Sequence, residues 1–239
     1  MKHPFHCHIL PLFTMGAGGI GLVLRLWLHA GLDEKGLLPV GHPAAVILFL
    51  LTAITLGILF LATRELSPRR VNKNFLRISG TVAYLVAGIG LILSALLNHS
   101  SASRLALVAT AATFVGGLVL FYMAVLKYFR KRLPYWAPAI LTVVLMLNTV
   151  AQCQAWGAIP QLQVYFFPLL ASVFLILSAY EKTTLAARKG KPQKLAFFSQ
   201  CAVFFCCVSL NAAQWPLYFG MLFWAAVQLY PCIFAKKEA

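Results

Sequence analysis

Lys127-Tyr128-Phe129-Arg130-Lys131-Arg132 puts four positive charges into six residues, near the middle of a chain that is apolar on either side of it. Between two bilayer-length apolar segments, such a knot fixes which side of a membrane the connection faces, because Lys and Arg are retained in the cytoplasm. Working outward, both flanking stretches are long enough to cross a hydrocarbon core about 30 Å thick, which takes about 20 helical residues. The reading of these six residues therefore decides the fold class: an all-α, polytopic integral membrane helix bundle.

The rest of the composition agrees. The 239-residue chain is 61% hydrophobic and 10% charged, whereas soluble domains carry about 25% charged residues. Its five acidic residues could not solvate the surface of a globule of this size. The net charge of +15 would suit a phosphate-binding surface, but the basic residues fall in short connections between apolar runs, so membrane orientation accounts for them. Nucleic acid is excluded as a partner on that ground. The partner is the lipid bilayer, with anionic head groups drawn to the basic connections at about 1 kcal/mol per charge. A protein partner or a homo-oligomer is left open.

The length ruler predicts eight transmembrane helices in a single domain covering 1–239. They are expected at 8–30, 43–63, 77–97, 104–126, 135–156, 163–180, 195–215 and 216–235. The first apolar run is too long for a signal-peptide core and no small-x-small cleavage site follows it, so it reads as a retained span. Connections then alternate in character. Basic segments follow the second, fourth and sixth spans, from Arg64 to Arg77, from Lys127 to Arg132 and from Lys182 to Lys194. Neutral or mildly acidic turns follow the others, among them Asp33-Glu34-Lys35 and Asn98-His99-Ser100. Together with Lys2, Lys236 and Lys237, the basic segments hold 17 of the 20 Lys and Arg residues. That asymmetry predicts four hairpins in the cell membrane, with N- and C-termini cytoplasmic. Pro216 suits the first turn of a helix, where its missing N–H is not required, and this favours a tight turn between the last two spans over one kinked helix.

None of the eight predicted spans contains Asp or Glu. Carriers coupled to protons or sodium usually keep a carboxylate in the membrane despite its cost, so that mechanism is not expected, although sodium held by carbonyls and hydroxyls alone stays open; paired-carboxylate acid/base catalysis is not expected either. Arg25 is the charge that falls clearly inside a span. Gly18, Leu22, Arg25 and His29 share one helical face, and small residues on that stripe favour close helix packing, so Arg25 is expected to face the bundle. The alternative is that its stem lies along the helix and the guanidinium reaches the head groups. Uncharged polar residues gather at the same level: Asn98 with Ser94 on the third span, Asn148 and Gln152 on the fifth, and Gln200, Cys207, Asn211 and Gln214 on the seventh. Buried amides need partners. They either bond one another as glue between helices or line a polar cavity open to the non-cytosolic side. The candidate substrate-binding set is Arg25, His29, Asn98, Asn148, Gln152, Asn211 and Gln214. The patterns Asn148-x3-Gln152-x3-Trp156 and Asn211-x2-Gln214-Trp215 hint at an internal duplication.

His3, His6, Cys7 and His8 are the weak candidates for a metal site, imidazole and thiolate being good ligands for divalent ions. The run His3-Pro4-Phe5-His6-Cys7-His8-Ile9-Leu10 resembles the copper-binding end of multicopper oxidases. That motif has a further His where this chain has Leu12, and the β-domains that carry it do not fit this composition. No copper centre is inferred. No cofactor is read from the sequence: His29, His42 and His99 lie at span ends rather than facing each other across a bundle. The vicinal Cys206-Cys207 has no neighbouring base in sequence to activate a thiolate. No enzyme motif stands out, and a catalytic role is not expected. The functional expectation is a small-solute transporter or permease-like protein with an outward-facing polar cavity. A non-catalytic membrane anchor or sensor subunit is the alternative, and a quinone or redox anchor a weaker one.

Overall fold

A computed structural model describes residues 9–31, 42–64, 73–97, 104–131, 133–156 and 162–233. Eight helices are found there: α1 (Ile9–Ala30), α2 (Pro43–Arg64), α3 (Lys73–Leu97), α4 (Arg104–Tyr128), α5 (Trp136–Trp156), α6 (Leu162–Ala186), α7 (Pro192–Val208) and α8 (Trp215–Ile233). A 3-10 turn, Ser209–Asn211, separates the last two, and no strand occurs among the described residues. Seven helices, α1 to α7, are long and apolar enough to cross a membrane. The eighth has 19 residues and carries no charge. The chain is a helical, multi-pass membrane protein.

The outer surface supports that assignment independently. Leu12, Ile20 and Val23 of α1, Leu50, Phe60 and Leu61 of α2, and Leu107 and Leu118 of α4 are all exposed. A water-facing bundle would present polar groups there, whereas hydrocarbon solvates these side chains and leaves backbone polarity to be satisfied inside each helix.

The bundle is arranged around α7, which packs against α1, α2, α6 and α8. Every residue from Ser199 to Ser209 is buried. Such a helix, apolar all round, belongs at the centre of its bundle. Two further layers follow: α3 lies against α4 and α8, and α5 lies between α4 and α6. Without a hydrophobic drive between helices in lipid, close approach depends on small residues. Gly90 of α3 and Gly220 of α8 supply it, since a Cβ on Gly90 would sit 2.5 Å from the Pro216 carbonyl oxygen and 2.9 Å from the Gly220 Cα. On α1, a Cβ at Gly18 would meet the Cys207 Cβ, and one at Gly21 would meet Val208 at 2.7 Å. The glycine stripe thus seats α1 directly on the end of α7.

Several helix ends differ from the sequence expectation, α3 starting at Lys73 and α7 at Pro192 among them, and three that bear on the site share one reason. A hydropathy ruler stops at a charge, but a helix stops only where its hydrogen-bond ladder does. α6 runs on past Tyr180 to Ala186, and Arg188 at φ 61° then closes it, with the Lys189 and Gly190 amides both donating to the Thr184 carbonyl. Glu181 and Lys182 are therefore helical, and Glu181 is only 9% exposed. The expectation that no span holds a carboxylate is corrected by this residue, and the argument against carboxylate-dependent coupling goes with it. α4 likewise extends through Lys127 before Arg130 turns the chain at φ 56°. Lys127 belongs to the helix rather than to the loop. In the third case α7 ends at Val208, short of the expected 215. The Ala212 amide then donates to the Ser209 carbonyl, and Ala212 itself is extended before α8 begins. Pro216 is the second residue of α8, where its lack of an N–H costs nothing.

Candidate functional site

Buried polar side chains collect in two places, both against α8. The first is built from α1, α5, α6 and α8. Gly18 and Gly21 bring α1 onto α7, so Arg25, two turns beyond Gly18, falls over the last turn of α7. Its side chain is 3% exposed, and Nη1 donates to the Val208 carbonyl oxygen at 2.9 Å. The guanidinium therefore faces the bundle interior, not the head groups. The final carbonyls of a helix have no partner within it, and a cation there also meets the negative end of the helix dipole. His29, one turn further on, is half-buried.

Beside them lies an amide network. Gln214 Oε1 accepts from Asn148 Nδ2 at 3.2 Å and from Gln152 Nε2. The Tyr218 hydroxyl lies 3.3 Å from Gln152 Oε1, 3.3 Å from the Pro168 carbonyl oxygen and 3.4 Å from Ser172 Oγ. A phenol has one proton, so Tyr218 serves only one of these acceptors at a time. Thr14 Oγ1 of α1 meets Gln200 Oε1 of α7 at 2.8 Å, deeper along the same pair of helices, while Gln200 Nε2 and Ser209 Oγ are buried without a hydrogen-bond partner among the described residues. Of the candidate set, the structure brings Asn148, Gln152 and Gln214 into direct contact and buries Arg25. Asn211 is exposed. Its expected alignment with Gln214 assumed continued helix, and the chain leaves the helix at Ser209. Asn98 lies outside the described residues, as do His3, His6, Cys7 and His8. Among the described residues no group of three or more His, Cys, Asp or Glu side chains is placed to hold a metal ion.

No protein-family model, no curated protein and no solved structure matches this chain. The chemistry of its side chains must carry the functional argument alone.

The second collection escaped the sequence reading. Lys127 of α4 and Lys182 of α6 both converge on Tyr84 of α3, which is 2% exposed. Lys127 Nζ lies 5.2 Å and Lys182 Nζ 4.7 Å from the centroid of that ring, and Lys182 Nζ is also 5.6 Å from the Trp224 ring of α8. Lys182 donates to the Tyr84 hydroxyl and to Gln228 Oε1, and Gln228 Nε2 donates to the Tyr84 hydroxyl at 3.3 Å. The Trp224 Nε1–H is buried in the same cluster. Gly80 leaves the room for this: a Cβ there would collide with the Lys127 ammonium. Each cation–π contact offsets part of the desolvation, by about 0.5–2 kcal/mol. The two ammonium groups, sharing one ring, are at most about 10 Å apart and repel by about 2 kcal/mol or more. Both lysines read as loop charges in sequence, and only the extended ends of α4 and α6 carry them inward. No periodicity along one helix announces a cluster assembled from four.

Proposed function

We propose that this chain is a small-solute transporter or permease-like protein of the cell membrane. In this reading it forms a single transmembrane domain of four hairpins, with both termini cytoplasmic and its polar route reached from the non-cytosolic side. Arg25 is the group that meets an anionic or polar part of the solute, and Asn148, Gln152 and Gln214 supply hydrogen bonds. The carrying observation is the burial of Arg25 in the bundle, at 3% exposure, against the end of α7. An ionisable side chain costs several kcal/mol in that setting, and such residues face the interior of membrane bundles chiefly along solute and ion routes.

One observation favours the second reading, a non-catalytic anchor or sensor subunit. The amides of Asn148, Gln152 and Gln214 bond one another and join α5 to the start of α8, as structural glue would.

Accessibility separates the two. Single cysteines at positions 148, 152 and 214, in a background without Cys7, Cys153 and Cys232, are treated with a small membrane-impermeant thiol reagent from the non-cytosolic side. Modification of at least two of them in folded protein is the outcome expected of a solute route. Protection of all three, with full modification after denaturation, would overturn that reading in favour of sealed glue.

A further inference from the structure

We propose that Leu175 of α6 and Met221 of α8 form a hydrophobic gate across one solute route, with Gln152, Ser172 and Tyr218 at its outer end and Tyr84, Lys182 and Gln228 at its inner end. The inference rests on the transport reading and deepens it, naming the inner end of the route and the residues that shut it.

α6 and α8 pack against one another as well as against α7. Ser172 Oγ of α6 lies 3.4 Å from the Tyr218 hydroxyl, and Lys182 of α6 donates to Gln228 Oε1, each pair being 46 residues apart. One offset at both ends means that the two helices run parallel and level with each other. On α6, Ser172, Leu175, Ala179 and Lys182 are spaced three, four and three apart and so share a face. On α8, Tyr218, Met221, Ala225 and Gln228 repeat that spacing. The two faces therefore match rung for rung: polar, large apolar, alanine, polar.

These rungs lie inside the bundle. Leu175, Ala179, Met221 and Ala225 are all 0% exposed. Helices α3 to α8 close a ring, each against the next and α3 against α8. From elsewhere on that ring, Gln152 of α5 reaches the outer rung, its Oε1 3.3 Å from the Tyr218 hydroxyl. Tyr84 of α3 reaches the inner rung, its hydroxyl accepting from Lys182 and Gln228. The polar rungs are ten residues apart, about 15 Å or half the hydrocarbon thickness. Of the two rungs between them, one carries Ala on both helices, so Leu175 and Met221 supply the bulk. An apolar constriction holds a passage shut by excluding water. Met221 suits one that opens, because its unbranched side chain turns about three bonds and can swing aside without moving the backbone.

Ala225, one rung beyond the gate, reports on it. In a background without Cys7, Cys153 and Cys232, Ala225→Cys is treated in intact cells with sulfonatoethyl methanethiosulfonate, a small anionic reagent that does not cross membranes. The reagent is added from the non-cytosolic side, and its reaction is counted over the same background with Ala225 intact. Modification should be slow, and should quicken about tenfold or more when Leu175→Ser or Met221→Ser makes the constriction wettable. Met221→Leu keeps the layer apolar and should leave the slow rate unchanged. Should a serine variant fail to fold, Leu175→Ala and Met221→Ala thin the same layer and should also speed the reaction. Single cysteines at positions 148, 152 and 214, measured alongside, separate the gate from the route. Reaction there, with Ala225→Cys equally slow in every folded gate variant, would overturn the gate and leave the outward-facing route standing. Fast reaction of Ala225→Cys before any gate change would also overturn it. Protection at all these positions would overturn gate and route together.

Discussion

Arg25 of α1 closes the end of α7: its Nη1 donates to the Val208 carbonyl oxygen at 2.9 Å, 183 residues along the chain. One side chain thereby links the position of the first helix to the terminus of the central one. Removing it strands a buried carbonyl and removes a charge-assisted bond, a loss of about 1–3 kcal/mol. Arg25→Leu should therefore lower the thermal unfolding midpoint in detergent micelles, and Arg25→Lys should fall between it and wild type, having the charge but not the planar fork. A guanidinium lying among head groups would instead leave the midpoint of Arg25→Leu unchanged.

How much of this was legible in the sequence depends on whether one helix suffices to state it. The spans follow from apolar length alone. The inward face of α1 follows from the spacing of Gly18, Leu22 and Arg25, and that face does meet α7 at Cys207 and Val208. Lys127, Glu181 and Lys182 read as connections because the apolar run ends before them, although the backbone ladder does not. The Tyr84 cluster was invisible for a further reason: Lys182 meets a ring 98 residues earlier and an amide 46 residues later. Pairings between helices follow from packing, which spacing along one helix does not encode.

Glycines offer a contrast within one residue type. Alanine is the better helix former by about 1 kcal/mol, and an interior Gly→Ala change gains that wherever space permits. Gly57 has open space around the site of a Cβ, so Gly57→Ala should be neutral or stabilising. At Gly90 the same Cβ would lie 2.5 Å from the Pro216 carbonyl oxygen, a backbone atom that cannot step aside. Gly90→Ala should destabilise despite the propensity gain, by forcing α3 from α8, and Gly220→Ala should behave alike. Unfolding midpoints of the three variants check this directly.

Gln214 Oε1 receives two amide donors from α5. Interhelical hydrogen bonds within membranes are worth about 0.6 kcal/mol on average and up to about 1.7. A double-mutant cycle with Gln152→Ala and Gln214→Ala should give a coupling energy of about 1 kcal/mol in the unfolding free energy. Strict additivity would mean that the two amides do not act as a pair.

The threading of the chain underlies the outward-facing transport reading, and it is read from the lopsided placement of Lys and Arg. The most direct measurement is the sidedness of two points in intact cells, using a small tag inserted between Arg130 and Lys131 and a second fused after Ala239. Both should be reached only from the cytoplasm. Detection of the two tags on opposite sides of the membrane would contradict the four-hairpin arrangement and remove the outward-facing route that Arg25 is proposed to serve.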